Sequence, residues 1–242
     1  MPRLSTVVMV PKGAEFKAIE KGLSSTRLGI EERKTLEIVS LPVGPMPVKS
    51  FISQWCQEQL QRNSLQDLHI VLMGLCGSLT DDLNVNDVVI YQRCLNGVAG
   101  SEFGPESQIY DFYLPSNNFS LAGVTIVTGV MCDRVVSQAD AKLQLAQKFA
   151  AQVVDMEGLA AFQALQGYDV KFSMVRVVSD DVHHDLPDLN EAFDSEGNIR
   201  PWVMTRQFLL NPLGALRLIR GSLSALKSLE QTVAKMFAPS QN

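Results

Sequence analysis

The chain has 242 residues, of which 46% are hydrophobic and 19% are charged, and its formal net charge is 21 − 26 = −5. This composition is that of an ordinary globular protein with a sizeable core, and the length suits one large domain. No block of Lys or Arg interrupts the sequence. A nucleic acid is therefore not an expected partner, because proteins that bind one concentrate positive charge on one face.

The cysteines and the N-terminus point to a reducing compartment. The four cysteines are widely spaced and form no C-x-x-C pair, so neither disulfides nor a zinc site is predicted. The first apolar run covers only residues 7–10, and no stretch of about eighteen apolar residues follows. We therefore predict a cytoplasmic protein with no membrane insertion.

The first half of the chain alternates predicted strands and helices. Residues 5–10 predict a strand buried on both faces and closed by Pro11. Residues 14–23 predict a helix, and Glu15 therefore lies in its first turn, at the carboxyl end of that strand. Further strands are predicted at 35–43, 68–73 and 88–93, and a further helix at 48–60.

Two glycines, Gly74 and Gly77, directly follow the strand predicted at 68–73. Glycines at such a place let backbone amides come close to the oxygens of a ligand. The spacing matches neither a Walker loop nor a dinucleotide-binding fingerprint. The pattern therefore predicts a loop near a ligand without naming the ligand.

The second half begins with an aperiodic region at 96–120, rich in Gly, Ser, Asn and Pro, which predicts an irregular loop. A strand is predicted at 124–130, and an amphipathic helix at 138–149 with Leu143, Leu145 and Phe149 on its apolar face. Further on, the sequence predicts a short strand ending at Asp155, a helix from Gly158 to about Gly167, a strand at 170–178, and helices at 202–208 and 213–237.

This alternation predicts an α/β fold with a central, mixed, mostly parallel sheet flanked by helices. We expect a single domain over residues 1–242, with its core at 5–181 and a helical C-terminal extension at 201–237.

Three acidic residues follow the carboxyl ends of predicted strands: Glu15, Glu157 and Asp180. Ligands of open α/β sheets bind at that edge. One such acid is equally consistent with a solvated strand end, but three together predict a pocket. The chemistry expected there is acid–base catalysis or stabilisation of positive charge.

Four ordered segments, 74–79, 83–89, 154–158 and 175–180, resemble landmarks of the nucleoside phosphorylase/nucleosidase superfamily. That superfamily includes purine nucleoside phosphorylases and methylthioadenosine/S-adenosylhomocysteine nucleosidases. The tail is similar instead to the hopanoid-associated phosphorylases, whose substrate is an adenosylhopane. The segments that carry this second resemblance are 185–187, 211–213 and 217–218.

The resemblance implies a phosphorylase-like fold and an enzyme that breaks the N-glycosidic bond of a purine nucleoside, adenine above all, with phosphate or water. It implies that Glu157 binds the ribose hydroxyls and that Met156 packs against the sugar. Asp180 is expected to deliver a proton to N7 of the leaving base, and Glu15 to activate water. Asp155 is expected to be a structural neighbour of Glu157.

The resemblance also assigns residues around these acids. Gly74 and Gly77 match a loop that approaches the nucleophile and the base. Arg176 is expected either to hold a pocket carboxylate or to form a structural salt bridge. Ser179 either orients Asp180 or caps the strand end. Lys17 either holds phosphate or is a solvated helix residue.

Two departures separate the chain from better-known members. Leu75 stands where many relatives carry a hydroxyl that helps to hold phosphate or water. No aromatic platform for the base follows the strand at 124–130, where Val130, Met131 and Cys132 stand instead. A larger and more apolar pocket, suited to a lipidic 5′ substituent, is consistent with both departures.

No metal site is predicted, because His183 and His184 are adjacent, and adjacent side chains of an extended segment point in opposite directions. No cofactor is expected, although phosphate would be a co-substrate of a phosphorylase. The expected partner is a small nucleoside, and homo-oligomers are usual for such enzymes. The alternatives are a non-catalytic nucleoside sensor on the same fold and a phosphorylase of the adenosylhopane type.

Overall fold

The structure is a computed structural model that describes residues 5–26, 35–62, 65, 68–98, 123–192 and 200–238. Its strands are β1 (Ser5–Pro11), β2 (Leu36–Leu41), β3 (Leu68–Ser78), β4 (Val88–Asn96), β5 (Val124–Met131), β6 (Val153–Asp155) and β7 (Val170–Asp180). Its helices are α1 (Ala14–Ser25), α2 (Pro45–Gln61), α3 (Ala139–Phe149), α4 (Gly158–Leu165), α5 (Pro201–Leu210) and α6 (Pro212–Met236), with one 3-10 turn at Asn190–Ala192.

The strands form one sheet in the order β2-β1-β3-β6-β5-β4-β7, and β3 also pairs with β7. The pairings β3–β6 and β4–β7 are antiparallel, whereas the other strand pairs are parallel. The predicted α/β fold with a mixed, mostly parallel sheet is confirmed. Because β3 pairs with both β6 and β7, the sheet curls, and the carboxyl ends of β3, β6 and β7 come together.

Apolar side chains fill both faces of the sheet. On one face, α2 and α4 pack on residues such as Met9, Ile70 and Met174. On the other, α1 and α6 pack on residues such as Val71 and Val175. Alternate residues of one strand therefore serve opposite cores, as expected for a sheet covered on both sides.

The described part of β3 corrects one prediction. The strand was expected to end at residue 73, but it continues through Gly74 and Gly77 to Ser78. Gly74 pairs with Arg176 of β7, and Gly77 pairs with Val154 of β6. The glycines therefore belong to a paired strand rather than to a loop, because the neighbouring strands hold their backbone extended.

The structure of helix α3 corrects a second prediction. The predicted apolar face included Leu143, whose exposed fraction is 44%, while the buried residue of this helix is Lys142. Leu145 and Phe149 pack against a small cluster beside β5 and β6, as expected. The helix is therefore rotated so that a lysine, rather than a leucine, faces the protein.

Two remaining predictions concern the loop at 96–120 and membrane insertion. Most of the loop predicted at 96–120 lies outside the described residues. Among the helices that are described, none combines the length and apolar character needed to cross a bilayer.

Candidate active site

A cavity of about 230 Å³ lies at the carboxyl ends of β1, β3, β6 and β7. The side chains of Glu15, Glu157 and Asp180 all line it. The sheet therefore brings together the three acids that the sequence places at strand ends. The other predicted site residues that line the cavity are Gly77, Met156 and Ser179.

Glu15 is held in place by a backbone amide. Its Oε1 accepts a hydrogen bond of 2.7 Å from the N–H of Leu75. Burial raises the pKa of Glu15, while the nearby Arg176 and this hydrogen bond oppose the rise. Leu75 lacks the expected side-chain hydroxyl, but its main-chain N–H contributes to the site.

Arg176 is the central cation of the site, and its side chain is fully buried. Its Nη2 lies 2.8 Å from Asp155 Oδ2 and 3.7 Å from Glu157 Oε2. Burial alone lowers the pKa of Arg176, but the two carboxylates outweigh it and raise the pKa above its ordinary value. Arg176 thus contacts two carboxylates that line the cavity, with the shorter contact to Asp155.

Glu157 lies between this arginine and the start of α2. Its Oε1 accepts a 3.2 Å hydrogen bond from the N–H of Gly44, the residue just before α2. Burial raises the pKa of Glu157 to about 7, against the opposing effect of Arg176. Asp155 and Glu15 add to the rise, since one guanidinium cannot neutralise three carboxylates.

The glycines of β3 make room for these side chains. A Cβ atom on Gly74 would lie 2.3 Å from Arg176 Nη1 and 2.7 Å from Glu15 Oε1. A Cβ atom on Gly77 would lie 2.9 Å from Asp180 Oδ2. The strand therefore passes directly beneath the charged groups, and any side chain at Gly74 would displace them.

Asp180, the last residue of β7, has a partner for each carboxylate oxygen. Its Oδ1 accepts a 2.7 Å hydrogen bond from Ser179 Oγ, which supports the prediction that Ser179 orients it. Its Oδ2 is in contact with Nζ of Lys142, a residue that the sequence analysis did not single out. The carboxyl group is thus fixed from two sides.

Lys17 is not brought to the site. It is exposed on α1 and is not among the residues that line the cavity. The interpretation of Lys17 as a solvated helix residue therefore fits the structure, and the phosphate-holding alternative lacks support.

The importance of two residues was underestimated from the sequence. Asp155 was expected to be only a neighbour of Glu157, yet it is the closest carboxylate to Arg176. For Lys142 a signal existed: it lies three and seven residues before Leu145 and Phe149, on their helix face. A lysine on an apolar helix face is a candidate for a buried ion pair.

The raised pKa of Glu157 predicts how stability depends on pH. The unfolded chain loses this proton near the ordinary value of 4.5, whereas the folded protein keeps it until about pH 7. The folded state therefore binds more protons between these values, and the free energy of unfolding falls as pH rises through them. We expect Glu157→Gln to remove about 1–3 kcal/mol of this fall, as measured by urea denaturation at pH 5 and pH 7.5.

The matched control is Glu58→Gln, since Glu58 is exposed on α2 and lies outside the cavity. It should leave the pH dependence unchanged. If Glu157→Gln retains the full pH dependence of the wild type, the protonation assigned to Glu157 is wrong.

The protein is an α/β protein with a cavity lined by acidic side chains at the carboxyl edge of its sheet. Residues 38–206 match the family described as the phosphorylase superfamily. Because this match covers most of the chain, the protein belongs to that superfamily. The family resemblance noted in the sequence is confirmed.

One curated relative is 5′-methylthioadenosine/S-adenosylhomocysteine nucleosidase of Haemophilus ducreyi, 32% identical over 127 residues. That alignment covers 46% of this chain and 55% of the relative, so the chain spans about half the length of the curated relative it matches.

Solved structures match over nearly the whole chain. The 5′-methylthioadenosine/S-adenosylhomocysteine nucleosidase of Helicobacter pylori, with butyl-thio-DADMe-Immucillin-A, has a TM-score of 0.68 at 13% identity, over 96% of this chain and 97% of that one. Futalosine hydrolase of the same organism has a TM-score of 0.66 at 14% identity, with the same coverage of 96% and 97%. At these identities the comparison establishes the shared fold.

Proposed function

We propose that this protein hydrolyses the N-glycosidic bond of an adenosine derivative. The observation that carries the proposal is that Glu15, Glu157 and Asp180 line one cavity. Breaking the C1′–N9 bond leaves positive charge on the ribose and negative charge on the departing base. Such a reaction needs a carboxylate at the sugar, an acid at the base and a group that takes a proton from water.

Glu157 supplies the carboxylate at the sugar. The Gly44 N–H and Arg176 hold its two oxygens on the protein side, and Met156 next to it also lines the cavity. An ionised Glu157 accepts hydrogen bonds from the ribose hydroxyls and stabilises the positive charge that develops at C1′. Its soft apolar neighbour Met156 packs against the sugar.

Asp180 supplies the acid at the base. A proton passes from its carboxyl group to N7, and the electron pair of the C1′–N9 bond moves into the purine. The exocyclic amine of adenine can donate to the same carboxyl group, which is why adenine is the base we propose. Ser179 keeps the carboxyl group oriented during this transfer.

Glu15 supplies the base for water. Since the Leu75 N–H occupies Oε1, Oε2 is the oxygen that takes the proton from the attacking water. Phosphate is a poorer nucleophile here, because three acidic side chains of the cavity disfavour an anion and Arg176 is shared by Asp155 and Glu157, which leaves Arg134 as the one cation among the described lining residues. Hydrolysis is therefore favoured over phosphorolysis.

An apolar wall of the cavity supports a substrate with an apolar 5′ group. The described side chains of this wall are Val43, Val135, Val136, Leu186, Leu189 and Leu218. Transfer of a methylthio group from water into such surroundings costs little free energy. The charged amino-acid end of S-adenosylhomocysteine, in contrast, must be desolvated at a high cost. Methylthioadenosine is accordingly the preferred substrate of the two.

Glu15→Gln tests the assignment of water as the nucleophile. We expect kcat for adenine release to fall about 100-fold, because an amide cannot accept the proton from water. The measurement is adenine formation from methylthioadenosine, followed by chromatography in phosphate-free buffer. Glu20→Gln is the matched control, since Glu20 is exposed on the same helix.

The sugar product separates the two nucleophiles. Water gives the free methylthioribose with or without added phosphate, and this is the expected result. A rate that requires phosphate, with a ribose 1-phosphate as product, would show that the enzyme is a phosphorylase. Full activity of Glu15→Gln would remove Glu15 from the mechanism.

Three further expectations belong to this proposal. We infer a cytoplasmic location, which is supported by the four cysteines, since all are buried thiols outside any disulfide. The reaction as written requires no cofactor. A homo-oligomer is supported by exposed apolar side chains on α5 and the first half of α6, and light scattering in solution measures it. These side chains are Trp202, Leu209, Leu213, Leu216 and Leu223.

A further inference from the structure

Lys142 is a fully buried lysine beneath the cavity, on the first part of α3. Its Nζ contacts Asp180 Oδ2 and lies 2.5 Å from the main-chain oxygen of Asp181. Lysine is almost never fully buried unless it is paired, because removing an ammonium group from water costs several kcal/mol. Placing this charge against Asp180, the residue that we propose as the acid, therefore has a cost in folding free energy.

The two oxygens of Asp180 differ because of this contact. An ammonium group has donors only, so Nζ cannot accept a hydrogen bond from a protonated Oδ2. A proton on Asp180 must therefore reside on Oδ1, the oxygen that faces Ser179. Lys142 thus selects which oxygen of the carboxyl group carries the proton.

Ser179 can accommodate either state of Asp180. Its hydroxyl oxygen lies 2.7 Å from Asp180 Oδ1 and 3.2 Å from the main-chain oxygen of Cys76. A hydroxyl has one proton, so it donates to only one of them at a time. Ser179 can donate to a lone pair of Oδ1 both when Asp180 is ionised and when the Oδ1 proton points toward N7, and it can otherwise donate to the main-chain oxygen of Cys76.

We propose that Lys142 is a positioning residue that makes Oδ1 of Asp180 the proton-delivering oxygen and stabilises the carboxylate left behind. This inference rests on the proposed function. In the reaction, the proton moves from Oδ1 to N7 of the base while Lys142 remains an ammonium ion. The negative charge that appears on Asp180 is then met by a fixed positive charge, which lowers the barrier to the transfer.

The charged and titratable groups around Asp180 are the same in the wild type and in the variants below. They are Cys76 on β3, Asp181 and His184 after β7, and Glu157 and Arg134 in the cavity lining. A change in rate is therefore attributable to Lys142.

Lys142→Met is the primary variant. We expect kcat for adenine release at pH 7 to fall about 10-fold, because the negative charge that develops on Asp180 in the transition state no longer meets a fixed positive charge. Lys148→Met, an exposed lysine on the same helix, is the matched control and should leave kcat unchanged.

A double-mutant cycle with Asp180→Asn separates positioning from plain structural support. If Lys142 acts through Asp180, Lys142→Met should cause no further loss once Asp180 is already Asn. An additional loss of the same 10-fold in that background would overturn the inference. Melting temperatures of all the variants show whether each one folds.

Lys142→Gln takes the place of Lys142→Met in this test if the methionine variant does not fold. Glutamine retains a donor but no charge, so kcat should again fall in the wild-type background and not in the Asp180→Asn background, and a fall of the same size in both backgrounds contradicts the inference. If the wild type releases no adenine from any nucleoside, the proposed function itself is wrong. If the wild type and Asp180→Asn behave as expected but the cycle is additive, only the role of Lys142 is wrong.

Discussion

Asp180→Asn is expected to lower kcat for adenine release about 1,000-fold while leaving KM nearly unchanged. Asparagine keeps the size of the side chain, and its amide oxygen can face Lys142 Nζ while its amide N–H donates to Ser179 Oγ. It has no acidic proton for N7, so adenine must leave without protonation, and loss of a positioned acid costs between about 100-fold and 10,000-fold. The measurement is steady-state kinetics with methylthioadenosine at pH 7.

The neighbouring residue provides the control. Asp181 Oδ1 accepts hydrogen bonds from the main-chain amides of His183 at 2.9 Å and His184 at 3.1 Å, outside the cavity lining. Asp181→Asn can keep these bonds and should retain most of the activity. If Asp180→Asn loses no more activity than Asp181→Asn, Asp180 is not the acid.

Arg176→Met is expected to lower the free energy of unfolding by about 3–5 kcal/mol at neutral pH. The side chain of Asp155 is 1% exposed and that of Glu157 is 8% exposed, so both would remain buried without their cation. The loss should shrink as pH falls and these carboxyl groups take up protons. Urea denaturation between pH 5 and pH 8 measures both the size and the trend.

A second substitution shows whether uncompensated charge causes the loss. In Asp155→Asn with Arg176→Met, the ion pair is replaced by an amide and an apolar side chain. This double variant should recover part of the stability, because replacing both partners of a buried pair costs less than removing one. A loss below about 1 kcal/mol, or one that is the same at pH 5 and pH 8, would contradict the central role of Arg176.

Much of the fold was predictable because local pattern and tertiary structure agree. The strand at Ser5–Pro11 is rich in β-branched residues, and it is buried in the sheet from Val7 onward. Glu15 and Asp180 were predictable as site residues because the carboxyl ends of parallel strands meet at one edge. Glu157 follows a strand of only three residues, and its assignment depended on the family resemblance as well.

Other features depend on contacts between distant parts of the chain. The extension of β3 through Gly74 arises because β7, about a hundred residues away, pairs with it. Glycine carries little strand propensity of its own, so the local sequence predicts a turn there. The sharing of Arg176 between Asp155 and Glu157 also depends on the distance of β6 from β7, which no local pattern contains.

Lys142 shows a different limit of sequence reasoning. Helical periodicity places it on the buried face of α3, but a charged residue is ordinarily assigned to solvent. The end of β7 gives the ammonium group its partners, the carboxylate of Asp180 and the main-chain oxygen of Asp181. The expectation that a lysine is exposed is wrong here, because the ion pair with Asp180 stabilises the buried ammonium group.

Adenine release by the wild-type protein tests the central claim most directly. The purified protein is incubated in phosphate-free buffer with adenosine, methylthioadenosine and S-adenosylhomocysteine in turn, and free adenine is measured over time. The proposed mechanism predicts catalytic release of adenine, fastest from methylthioadenosine, together with a free sugar. Saturable binding of these nucleosides without release of adenine from any of them would contradict the mechanism and indicate a nucleoside sensor.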